Sequence, residues 1–150
     1  MTRAGAIAIV AATLVLGSGR AAGPARTLEV ATAAGVVWRT AIADGERFDI
    51  AFRHSSERCV WTQHYRATAE GVWQEGSTFP CFGAGMPAGS TDGSPVVRTG
   101  LGYFVRAPRL IGQLPMLGWR RGEITIAVGG RMVALGPLVG DFEPFTVSVR

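Results

Sequence analysis

The sequence predicts an all-β domain: a small antiparallel β-sandwich or partly open barrel of about eight or nine short strands. Three observations carry that expectation. From residue 26 onward apolar and polar residues alternate at a period of two, and no stretch keeps a helical spacing across three turns. Glycine and proline, 21 and 8 residues, cut the chain into short segments. At 150 residues, 47% hydrophobic and 17% charged, the chain can fill one core. It is too apolar for disorder and too poor in cysteine for a disulfide-built miniprotein.

The first 25 residues read as targeting, not structure. Arg3 precedes Ala4–Leu16, 13 residues without a charge, and small residues then run through Ala25. That is the layout of a secretory signal peptide over 1–25. Cleavage is expected near Ala21 or Ala25, with Gly19 or Gly23 as the second small residue. The alternatives are an uncleaved anchor and a buried core helix. The 16 residues between Arg3 and Arg20 fall short of the roughly 20 that a spanning helix needs. A single β domain over 26–150 is then exported, to the periplasm or beyond, and meets a membrane only through an uncleaved N-terminal segment.

All 15 basic residues are arginine, and the formal charge is +4. Loss of Arg3 and Arg20 leaves thirteen arginines against eleven acids, a net of +2. The remaining arginines are scattered, with no basic run, so a nucleic-acid partner is not expected.

Half-buried strands are expected where Phe48, Ile50 and Phe52 alternate with polar or small residues, and again at Ile124, Ile126, Val128 and at Phe145, Val147, Val149. Gly129-Gly130 suits a two-residue primed turn. It sets Val128 opposite Arg131, Ile126 opposite Val133 and Ile124 opposite Leu135, which gathers the apolar residues on one face.

A second hairpin is expected around Ala69-Glu70-Gly71, taken as a three-residue loop with Gly71 in the left-handed position. Thr68 then faces Val72, and paired positions add to 140. Cys59 and Cys81, the only cysteines, also add to 140. Directly opposed Cα atoms about 4.5–5.5 Å apart lie within disulfide range, so a Cys59–Cys81 bond is expected. Two buried free thiols, or a β-bulge near Pro80, are the alternatives. Two cysteines without close histidines make half a zinc site at best, and neither a metal nor a cofactor is expected.

The same register sends Cys59, Trp61, Gln63 and Tyr65 inward against Trp73, Glu75, Ser77, Phe79 and Cys81. Thr62, His64 and Arg66 then face water with Gln74 and Thr78. Gln63 and Glu75 would need partners inside. Residues 82–95, with four Gly and two Pro, are expected to form a loop, and 107–122 a second irregular connection with room for one helical turn. The four tryptophans, Trp38, Trp61, Trp73 and Trp119, read as core.

His54-Ser55-Ser56-Glu57 follows the Phe48–Phe52 row, which places His54 at the rim of the core. A histidine there can be a ligand donor, an acid/base, or a hydrogen-bonded residue holding the turn. No nucleophile-elbow pattern is present, so no catalytic residue is assigned; the enzyme alternative is a small hydrolase using His54 with Ser55 or Glu57. Gly83-Ala84-Gly85 can present backbone N–H groups to an anion, or simply make a tight loop. Without a following helix and Lys it is no nucleotide site. Phe82, Met86 and Pro87 give that loop an apolar character suited to covering the sheet or meeting a partner.

Taken together, Arg53-His54-Ser55-Ser56-Glu57-Arg58, Tyr65, Glu75 and Phe82-Gly83-Ala84-Gly85-Met86-Pro87 resemble the pattern of domain-of-unknown-function family 1850 over about residues 46–87. Its members carry a His-Ser-Val-Glu-like segment, a Glu shortly before a Tyr, a second Glu, and a Phe-Gly-Ala-Gly-Leu-Pro-like loop. Here Ser56 stands where Val is usual, and Gln63 or Thr62 where Glu is usual. The cysteine pair looks like a local addition. The resemblance implies a small exported protein associated with tripartite ATP-independent periplasmic transporters of the extracytoplasmic-immunogenic type. It brings no enzymatic activity.

The leading expectation is an exported, non-enzymatic accessory or binding module of a solute-uptake system, partnered by a transporter component or a small solute. Its functional surface would comprise His54, Ser55, Glu57, Arg58, Glu75, Phe82, Gly83, Gly85, Met86 and Pro87. A purely structural envelope module is the third possibility. If the surface is shared, the His54 segment and the glycine loop must lie close together.

Overall fold

The computed structural model describes residues 25–83 and 87–150. The expected signal segment, apart from Ala25, lies outside them, as do Gly85 and Met86. The strands are β1 (Ala25–Thr32), β2 (Gly35–Ala43), β3 (Arg47–Arg53), β4 (Val60–Thr68), β5 (Gly71–Phe79), β6 (Val97–Thr99), β7 (Gly102–Leu117), β8 (Thr125–Val128), β9 (Arg131–Ala134) and β10 (Pro144–Val149). One 3-10 turn, Arg120–Gly122, interrupts them. The strands form an antiparallel sheet in the order β2-β1-β10-β7-β5-β4-β3-β8-β9, with β6 on β7, curled into a half-barrel. The partly open barrel is therefore the form the all-β expectation takes.

The alternating rows do what their pattern requires. Phe48 and Ile50 on β3, Ile126 on β8, and Phe145 and Val147 on β10 are all buried, and they share one core with Leu28, Val30, Tyr65 and Val72. Gly129 and Gly130 both take positive φ, 55° and 73°, as a primed turn demands, and Val128↔Arg131 and Ile126↔Val133 pair as expected. Leu135 N–H donates to Ile124 O (2.8 Å), which extends that register.

The β4–β5 hairpin corrects the expected register. Its turn has two residues, not three: Thr68 pairs with Gly71 and Ala67 with Val72. Near the turn, paired positions add to 139. A bulge between His64 and Tyr65 then leaves one extra residue on β5, so that Thr62 pairs with Thr78 and positions add to 140. A one-residue slip flips every side chain to the other face. Trp73 is thus 36% exposed and Glu75 lies outward, whereas Gln74 is buried beside Tyr65 and held by Arg109 Nε (2.8 Å). Beyond the bulge Ser77 and Phe79 face the core as expected, and Thr78, though on the outer face, is buried. Cys59 and Cys81 are bonded, with Cα atoms 6.4 Å apart rather than directly laddered, because both lie just past the ends of β4 and β5.

Residues 107–117 are strand, not an irregular connection. The 16-residue β7 pairs with β5 through Gly112 and with β10 from Gln113 to Leu117, which carries the sheet around its corner. Among the described residues β7 is paired on one side alone around Pro108 and Pro115, the kind of position where a strand tolerates proline. The expected helical turn is the 3-10 turn at Arg120. In the glycine-rich connection before β6, the described residues 87–95 form a loop as expected, tied down where Asp92 meets Arg106 (2.9 Å); bonds from Ser94 hold the Asp92 carboxyl down at about 2.

Gln63 faces inward and finds its partner in Tyr65, whose hydroxyl donates to Gln63 Oε1 (2.7 Å). Burial pushes the Tyr65 phenol well above its ordinary value near 10, with Arg109 pulling the other way. The folded protein therefore keeps this proton at a pH where the unfolded chain releases it. The stabilisation is complete below about pH 10 and is lost as pH rises further, at up to about 1.4 kcal/mol per pH unit. Denaturant midpoints at pH 8 and 11 are expected to fall further in the wild type than in Tyr65→Phe. Parallel losses would contradict this.

Candidate functional site

Arg53 ends β3, and the inward row Phe48, Ile50, Phe52 continues to His54, whose ring packs 5.6 Å from that of Trp61 at the rim of the core. The chain then closes on itself. His54 N–H donates to Cys59 O (2.9 Å) and Arg58 N–H to His54 O (3.0 Å). Glu57 N–H faces His54 Nδ1 at 3.5 Å, the long limit of a hydrogen bond, which leaves Nε2 as the donor of the neutral ring. His54 thus holds this turn with its backbone, and among the described residues its Nε2 makes no hydrogen bond.

Closing the turn places Arg58 at φ 55°, in the left-handed region that costs a non-glycine residue roughly 1 kcal/mol or more. Glu123, after the 3-10 turn, has the same conformation at φ 49°. Arg53 ties the two together: Nη1 donates to Arg58 O (3.0 Å) and Nη2 to Glu123 Oε2 (2.9 Å). The two strained residues and the arginine between them line one hollow of about 520 Å³, together with His54, Ser55, Trp119 and Arg121. Three arginines and one acidic residue thus line it. Arg53 is paired with Glu123, and among the described residues neither Arg58 nor Arg121 meets a carboxylate.

The 118–123 segment is braced from behind. Gly118 N–H donates to Glu143 O (2.8 Å), Phe142 N–H to Gly118 O (2.8 Å) and Arg120 N–H to Asp141 Oδ1 (3.0 Å). The hollow is therefore formed before any ligand arrives.

The expected closeness of the two motifs is found. Gly83 lies against Glu57 so tightly that a Cβ there would collide with the Glu57 carboxylate. The Cys59–Cys81 bond ties the same two segments. Phe82 turns the other way, onto Tyr103 (ring centroids 4.5 Å) and Phe79 (5.3 Å), and Pro87 is half-buried. Glu75 does not join this cluster. Its carboxylate pairs with Arg66 and with Arg47 (3.0 Å) on the outer face of the sheet.

Two features were not foreseen from the sequence. Trp119, Arg121 and Glu123 reach the hollow because β8 pairs with β3, a neighbour relation that alternation alone does not reveal. On the outer face, Asp49 Oδ1 meets His64 Nδ1 (2.8 Å) and His64 Nε2 meets Thr78 Oγ1 (2.8 Å). This chain spans β3, β4 and β5 beside a hollow of about 370 Å³ walled by Val60, Pro80 and Leu101. Gly76, opposite His64, leaves room for the Phe104 ring that packs on the imidazole.

No curated protein and no solved structure matches the chain. The family described as Domain of unknown function (DUF1850) matches residues 48–135, which hold the His54 turn, the disulfide, the glycine loop and Trp119–Glu123. That span is more than half of the sequence, and the chain belongs to the DUF1850 family.

Proposed function

We propose that this chain is an exported, non-enzymatic binding module that holds a small anionic solute in the Arg53–His54–Arg58–Arg121 hollow, as an accessory of a solute-uptake transporter. One observation supports the reading most. Arg58 and Arg121, which meet no carboxylate among the described residues, line a braced hollow whose backbone is strained at two points, Arg58 and Glu123. Strain of that kind persists where the surrounding structure enforces it, and it concentrates at binding sites. Guanidinium forks match carboxylate geometry, and His54 and Ser55 add further polar groups.

Calorimetric titration of the disulfide-bonded protein with acetate and with inorganic phosphate is expected to give saturable binding of at least one. Pull-down from the native host is expected to bring a transporter's soluble receptor or membrane subunit along. Binding of neither anion rejects the site, and recovery of the protein alone rejects the transporter association.

A second reading, a small hydrolase, gains support at a different place from the one the sequence pointed to. Among the described residues no hydrogen bond joins His54 to Ser55, but Asp49, His64 and Thr78 stand in the order acid, imidazole, hydroxyl. This reading expects turnover of p-nitrophenyl acetate that Thr78→Val abolishes. A rate equal to that of the variant rejects it.

A further inference from the structure

We infer that the anion is a monocarboxylate with an apolar tail, and that the tail lies in a second hollow on the far side of Glu123. This inference rests on the anion-binding reading above and names its ligand class. Glu123 lines both hollows, and the 3-10 turn divides them: Trp119 and Arg121 face the basic one, Arg120 the other. The second hollow has about 600 Å³, within the range of small-molecule sites. Its floor is apolar: Ile124 and Val139 are buried there and Leu138 half-buried.

The dividing carboxylate does not repel an anionic head group as a bare charge would, because Arg53 neutralises it at 2.9 Å. The opposite wall, the 136–143 loop, is fixed by its own bonds. Gly140 N–H donates to Glu143 Oε2 (2.6 Å), and Leu138 and Val139 N–H donate to Leu135 O (2.8 and 3.0 Å). A basic hollow adjoining one with an apolar floor, which Arg120 and Glu123 also line, selects a molecule with the same division. Arg58 and Arg121 take the carboxylate, and Leu138 with Ile124 takes the alkyl chain. Inorganic anions fit the first hollow but leave the second empty.

The test is a calorimetric series of acetate, butanoate, hexanoate and octanoate, with inorganic phosphate and hexylamine as controls, on full-chain protein exported and oxidised in the periplasm. Affinity is expected to rise about fourfold for each methylene that enters the apolar hollow, levelling off once it is filled. Leu138→Asn, checked for an unchanged melting profile, is expected to flatten that rise. Equal affinity for acetate and hexanoate would overturn the inference and leave the anion-binding reading standing, as would binding of phosphate without any carboxylate. Hexylamine binding as tightly as hexanoate would also overturn it. Binding of no anion at all would remove the underlying reading instead.

Discussion

Arg58→Gln combined with Arg121→Gln is expected to weaken carboxylate binding at least a hundredfold, with unfolding free energy changed by no more than about 0.5 kcal/mol. Each guanidinium supplies a charge-assisted hydrogen bond of about 1.5–3 kcal/mol to a bound carboxylate, and neither is paired in the free protein among the described residues. Both side chains are exposed, so their loss leaves no buried group unsatisfied. Arg58→Gly sharpens the point. Glycine takes φ 55° without the steric cost that arginine bears, so this variant is expected to keep its stability or gain up to about 1 kcal/mol while binding weakens about tenfold or more. Opposite movement of stability and affinity is the mark of a residue kept for function. If the motif serves folding alone, as in a purely structural envelope module, affinity has nothing to lose.

The second large effect concerns the disulfide. Cys59→Ser with Cys81→Ser is expected to lower stability by about 3 kcal/mol, since the bond closes a loop across a separation of 22 residues and restricts the unfolded chain. Because the bond ties the His54 turn to the start of the glycine loop, the folded variant is also expected to bind more weakly. Thiol titration of the denatured, unreduced wild type should find none, and two after reduction. Two thiols before reduction, or a double variant as stable as the wild type, would contradict the assignment.

The disulfide also shows how the sequence could be right for an incomplete reason. A three-residue turn set paired positions to 140. The actual two-residue turn sets them to 139, and the bulge beside Glu75 restores 140 before the cysteines are reached. Two departures cancelled, and the cysteines met. The faces between turn and bulge did not share that luck, which is why Trp73 and Glu75 lie outside and Gln74 inside. Turn chemistry such as Gly129-Gly130 is local and could be read directly. The β5 bulge coincides with a register shift against β7 at the same residues, a relation between distant segments that local turn chemistry does not show.

The site divides along the same line. His54, Ser55 and Arg58 form one contiguous turn, so their clustering was visible in the order of residues. Arg121 and Glu123 arrive through the β3–β8 pairing, and the Asp49–His64–Thr78 chain depends on the registers of β3, β4 and β5 together. Alternation says which residues face inward on a strand, not which strand lies beside it.

The anion hollow is tested most directly by a crystal structure of the protein soaked with 6-bromohexanoate, in which anomalous scattering locates the bromine. The carboxylate is expected against Arg58 and Arg121, with the bromine between Ile124 and Leu138 beyond Glu123. A carboxylate seated elsewhere, or a hollow that stays empty at saturating ligand, would contradict the account.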